Sequence, residues 1–213
     1  MSVSELTTKS WLTTIKENDE LIARWASHII SPHIVGIVLI TLMTMRFSPN
    51  PVEVAIWLLI ILPILVIPPL SYVLWLVRTG YLEDMYMPTR HKRIRPLAFI
   101  MSWFLVCWGL VYYWAAPPVV ELLILGIMVL VGVLSIITFV WKISFHGASI
   151  TAAITATLLV SDSYYIWPIM LLIPLVGWSR IRLNRHTPLQ VVYGSLVGAV
   201  IAIILAYGIL SRV

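Results

Sequence analysis

Three histidines and a crowd of guanidinium groups stand in three short polar stretches of an otherwise apolar chain. The first stretch ends in Arg90-His91-Lys92-Arg93-Ile94-Arg95-Pro96, and the second reads Lys142-Ile143-Ser144-Phe145-His146-Gly147. The third runs from Ser179-Arg180 through Arg185-His186-Thr187 to Gln190. Guanidinium offers a fixed fork of donors that matches phosphate oxygens. An imidazole can act as nucleophile or proton donor near neutral pH. Gathered in one place, these groups would hold a phosphorylated lipid head group. Scattered, they would be no more than the cationic rim of a membrane protein, with incidental histidines.

The elements that must gather them are membrane helices. Hydrophobic residues make up 61% of the chain and charged residues only 11%, with a mean hydropathy of +0.99. A soluble domain of 213 residues cannot hide that much apolar surface, so lipid is the solvent and the backbone must satisfy itself in helices or a closed barrel. Long apolar runs without alternation favour helices. A span takes roughly 20 apolar residues, and seven segments are expected, at about 28–47, 54–77, 97–116, 119–141, 148–161, 165–178 and 188–211. The fold expected is therefore an all-α transmembrane bundle of six to seven segments. The fifth and sixth segments are short enough to be tilted, buried or partly re-entrant. Pro63 and Pro68-Pro69 fall inside the second segment, where they should kink a helix without ending it.

Residues 1–27 mix charges with Trp11, Ile15, Ile22, Trp25 and Ile29 at helical spacing. An interfacial amphipathic helix is expected there, ahead of a single membrane domain over 28–213, with no cleavable signal. Seven crossings put loops 78–96, 142–147 and 179–187 on the N-terminal side. Of fourteen Lys and Arg residues, all but Arg46 and Arg212 fall on that side, which makes it cytoplasmic by the positive-inside rule. The net charge of +5 reads as membrane orientation, and no nucleic-acid partner is expected. The single Cys107 allows no disulfide within the chain.

Taken together, the three stretches resemble the type 2 phosphatidic acid phosphatase superfamily over roughly residues 84–190. That family carries Lys-x6-Arg-Pro, then Pro-Ser-Gly-His, then Ser-Arg-x5-His-x3-Asp. Here Arg95-Pro96 matches the end of the first motif, Ser144 and His146 the second, and Ser179-Arg180-x5-His186 most of the third. The resemblance implies that His186 attacks phosphorus to form a phosphohistidine and that His146 protonates the departing oxygen. It also implies that Arg95, Arg180, Ser144 and Gly147 hold phosphate oxygens, and that fixed positive charge does the work of a metal, with no cofactor. The implied substrate is a lipid phosphate or a polyprenyl diphosphate in a membrane of bacterial plasma type, and family members usually carry this site on the extracytoplasmic side.

Three positions depart from the pattern. Pro88 stands where the first motif has Lys, so Arg90 or Lys92 is the nearest replacement. Ile143 and Phe145 flank Ser144 in place of Pro and Gly. Gln190 replaces the Asp that orients the nucleophile. An amide can fix a ring but cannot neutralise an imidazolium, and in a serine protease the Asp-to-Asn change costs about four orders of magnitude in rate. Asp84 is a candidate for the missing charge. The alternative function is a catalytically attenuated or silent relative that binds lipid, or that serves as a subunit of a membrane complex or homo-oligomer. A prenyl-transferring enzyme is disfavoured because it needs paired acidic motifs for magnesium, and Glu83-Asp84 is the one acidic pair near a membrane end. His28 and His33 read as interfacial histidines, Gly194-x3-Gly198 as a close helix contact, and Trp75, Trp114, Trp141, Trp167 and Trp178 as an aromatic belt.

Overall fold

The computed structural model describes residues 17–85, 87, 89, 91–160 and 164–210, and its described residues are helical without a strand. Helix α1 (Glu17–Ile29) meets α2 (Pro32–Phe47) at a bend of 43°. The break is local chemistry: Pro32 is the first residue of α2 and has no amide to continue the ladder. Helix α3 (Pro51–Arg78) starts on the Asn50 side chain, whose Oδ1 accepts from the Val52 and Glu53 amides at 3.0 and 3.4 Å. It runs unbroken through Pro63, Pro68 and Pro69. Pro68 cannot donate to the carbonyl of Ile64, and the indole Nε1 of Trp103 donates to that oxygen instead, at 2.8 Å.

Trp103 belongs to α4 (Ile94–Tyr113), which follows a 3-10 turn at His91–Arg93. Helix α5 (Pro118–Val140) is the pillar of the bundle. It packs on α2, α4 and α8, and Val119, Val120, Ile124 and Leu134 are almost fully buried on it. Then come α6 (Phe145–Val160), a 3-10 stretch (Tyr164–Leu171), α7 (Leu172–Arg182) and α8 (Pro188–Leu210).

Among the described residues four helices are long and apolar enough to cross a membrane, or five if the bent α1–α2 pair is one span. The chain is thus an all-helical integral membrane protein, and these helices make four to five spans of the six to seven expected. The fifth expected segment is α6, an apolar helix of only 16 residues. The sixth splits into the 3-10 stretch and the 11-residue α7, because Pro168 and Pro174 remove amide donors close together. Of the N-terminal helix expected over 1–27, residues 1–16 lie outside the described part. In the rest, Leu21, Ile22, Trp25 and Ile29 are exposed while Ala23 and Ser27 are fully buried, so α1 is amphipathic, with its small residues against the bundle.

The closest helix pair is α6 with α8. A methyl group on Gly194 would stand 2.6 Å from the Ser144 carbonyl oxygen, and one on Gly198 would collide with the Ala148 backbone. Glycine at both positions is what lets α8 lie along the start of α6, and so brings the second polar stretch to the third.

Candidate functional site

His186 occupies one residue's space between two capping motifs. At the end of α7 the Arg185 amide donates to the Arg180 carbonyl at 3.0 Å and the Asn184 amide to the Ile181 carbonyl at 2.9 Å. With Asn184 at a φ of 53°, this is a Schellman ending, with asparagine in the left-handed conformation that its side chain tolerates. Immediately after His186, α8 opens on a capping box: the Gln190 amide faces Thr187 Oγ1 at 3.4 Å and the Thr187 amide donates to Gln190 Oε1 at 3.2 Å.

That second bond decides the chemistry of the ring. A backbone N–H can only donate, so the atom facing it is the Gln190 carbonyl oxygen. The same oxygen stands 3.1 Å from His186 Nδ1, so Nδ1 must carry the hydrogen, and Nε2 keeps its lone pair. Burial, together with the charges of Arg180, Arg93 and Lys142, pushes the His186 pKa down to about 3 against the opposing effect of the Gln190 bond. The ring is neutral across the physiological range, with one nitrogen able to attack.

Hydrogen bonds and ion pairs tie the other polar stretches to this point. The Ser144 amide donates to the Gln190 backbone carbonyl at 3.2 Å, joining the second stretch to the third. Ser144 is wholly buried, and its Oγ caps α6 by accepting from the Gly147 amide at 3.2 Å. His146, in the first turn of α6, is buried and close enough to Arg180 and His186 to feel their charges. Arg180 is 3% exposed although it bears a full charge, and it donates to Ser27 Oγ at 2.6 Å. The first stretch joins through Asp84, whose carboxylate pairs with Arg185 at 2.8 Å. Asp84 thus comes to the site beside the residue preceding His186, where it offsets one arginine.

The remaining expected residues lie as follows. Arg95 rests over the rings of Tyr81 and Trp75, at 5.3 and 6.0 Å from their centroids. Arg93 instead is the buried arginine of this stretch, 6% exposed, and its charge acts on His186. Lys92 pairs with Glu83 at 2.7 Å, and Arg90 lies outside the described residues. Lys142 was counted in the sequence only as an orienting charge. In the fold it stands in the field of Arg93, Arg180 and Arg185, and burial and those charges lower its pKa. It supplies an ammonium group to the same cluster, where the Lys expected in the first stretch is replaced by Pro88. Among the described residues no group of three or more His, Cys, Asp and Glu side chains is gathered.

The arrangement can hold an anion. Cations from three stretches surround a neutral, oriented imidazole, and the amino end of α6 adds its own partial positive charge. Residues 142–212 match the family model of the PAP2 superfamily. This is about a third of the chain, and it holds Lys142, Ser144, His146, Arg180, His186 and Gln190. No curated protein and no solved structure matches the chain.

Proposed function

We propose that this protein is a membrane lipid phosphatase of the PAP2 type, hydrolysing a phosphate monoester or diphosphate at the bilayer surface through a phosphohistidine on His186. The observation that carries the reading is the fixed tautomer: Gln190 takes the Nδ1 hydrogen and leaves Nε2 as a nucleophile among Arg93, Lys142 and Arg180. Attack by Nε2 on phosphorus displaces the lipid alcohol or lipid phosphate; His146, held neutral in the empty site by burial and the charges of Arg180 and His186, takes up a proton with the anionic phosphate and passes it to the leaving oxygen. Water then attacks the phosphohistidine, His146 accepts its proton, and inorganic phosphate leaves. The guanidinium and ammonium groups stabilise the charge that builds on the non-bridging oxygens.

A lipid substrate is favoured by an apolar groove of about 260 Å³ between α4 and α5, which includes Ile94, Met101, Gly132 and Phe139. Its lining reaches Ile94, next in the chain to Arg93, and Phe139, three residues before Lys142, so a hydrocarbon chain lying there would run toward the cationic stretches. Purified protein is expected to release phosphate from phosphatidate or a polyprenyl diphosphate, and His186→Ala to abolish the release. Equal inactivity of wild type and variant on all such lipids would sink the reading.

One observation favours a second reading, an attenuated or silent relative that binds lipid head groups. Gln190 is neutral, so the cation formed when His186 is phosphorylated has no counter-charge in contact with Nδ1. That reading expects lipid phosphate to bind with little or no turnover.

A further inference from the structure

Helix α1 lies outside the stretch that matches the family model, yet it reaches the heart of the site at one residue. Ser27 is completely buried. Its hydroxyl oxygen accepts from Arg180 Nη1 at 2.6 Å, and its backbone is hydrogen-bonded to the His146 ring, in the sense that favours the protonated imidazole. A carbonyl accepting from the ring has that sense. One residue therefore touches both the arginine of the third stretch and the histidine of the second.

A second tie keeps α1 in place, since Arg182 of α7 pairs with Glu20 at 3.4 Å. Glu20 and Ser27 are two helical turns apart and so share a face of α1. The outward face carries Leu21, Ile22, Trp25 and Ile29, all more than half exposed.

Arg180 needs such a holder. A long arginine side chain has many rotamers to lose, and a guanidinium that wanders stabilises charge poorly. A short hydroxyl contact engages one of its five donors and so fixes the plane of the fork.

We infer that Ser27 is a positioning residue, fixing the Arg180 guanidinium and the His146 ring relative to each other so that both meet one phosphoryl group, and that α1 is thereby a built part of the site. The inference rests on the anion-binding role proposed above for Arg180. Its test separates the two by reading anion binding and turnover independently.

Orthovanadate, a mimic of the five-coordinate phosphoryl group, is titrated calorimetrically against full-length protein in detergent, and phosphate release from phosphatidate is followed alongside. Ser27→Ala is expected to weaken vanadate binding about tenfold and to lower kcat more than it raises KM. Ser27→Thr, which keeps the hydroxyl, should return both to within about threefold of wild type. In an Arg180→Ala background Ser27→Ala should cost no further vanadate affinity, a result that a general packing defect would not give.

Should the alanine variant fail to fold, Ser27→Cys carries the test, being close in size but a weak acceptor, with a several-fold loss of vanadate affinity expected. Wild-type vanadate affinity in the Ala or Cys variant overturns the inference, as does equal impairment by Thr and Ala. A wild-type protein that binds vanadate in a Ser27-dependent way but releases no phosphate from any lipid overturns the hydrolase reading alone.

Discussion

Gln190 serves two ends with one oxygen. It closes the capping box of α8 and holds the His186 hydrogen on Nδ1, so it supplies the orientation a carboxylate would give, without the charge. Gln190→Asp is therefore expected to raise kcat by an order of magnitude or more at neutral pH, because a carboxylate stabilises the cationic phosphohistidine. The same change favours the protonated ring, so the His186 pKa rises from about 3 and the acid limb of kcat/KM moves to higher pH. A pH profile of the two proteins checks both effects, and an unchanged limb would mean that the side chain does not reach the ring.

The ring-fixing role of Gln190 was legible from its place in the motif, whereas the capping box in Thr187-Pro188-Leu189-Gln190, a threonine followed three residues later by glutamine at a helix start, emerged only with the fold. The burial of Arg93 was hard to read for a related reason. Two residues apart on a helix turn point about 200° away from each other, so only one can enter the site. A match to the Arg-Pro pair selects Arg95, whereas the 3-10 turn at His91–Arg93 sets the phase that buries Arg93. No spacing rule in the chain announces that phase.

Among the elements, the α7–α8 corner carries the site. Asn184 has to stay left-handed for the Schellman ending to form, and a β-branched residue resists that conformation by about 1–2 kcal/mol. Asn184→Val should lower thermal stability by roughly that amount and depress phosphate release, while Asn184→Gly should be close to neutral in both. Equal behaviour of the two variants in a melting and activity assay would refute the corner's role.

Most elements were legible because hydrophobic length and proline position dictate them. The long α3, α4, α5 and α8 all fall where apolar runs placed them. What the sequence left open was the form that the two short segments take. The run at 165–178 is as apolar as its neighbours, and only the closeness of Pro168 and Pro174 hinted that it would break into a 3-10 stretch and a short helix. Ser27 was equally hidden, since a lone serine in an amphipathic segment gives no signal until α7 is packed against it.

For the whole molecule, the gathered cations set both stability and orientation. A His186 that is neutral in the folded protein down to about pH 3 takes up a proton near pH 6.5 once unfolded. Between those values the unfolded chain binds the extra proton, so stability holds above about pH 6.5 and falls as the pH drops toward 3. Melting in detergent from pH 7.5 to 4.5 should show a decline worth at most about 1.4 kcal/mol per pH unit for this group, shallower in His186→Gln. Identical curves would refute the assignment.

Charge distribution predicts that the site face is cytoplasmic. A cysteine at exposed position 91, in Cys107→Ser protein, should resist an impermeant thiol reagent in intact cells and react once the membrane is opened. Labelling of intact cells would reverse the orientation.

The indole of Trp103 fills the rung that Pro68 leaves empty in α3. Two long helices are thereby fastened together near the middle of both, like a ladder bolted to a wall at its missing step. Tilting α3 in response to bilayer thickness must then carry α4 with it, and Arg93 travels at the head of α4. That single indole therefore helps to set where α4 presents the cation that acts on His186.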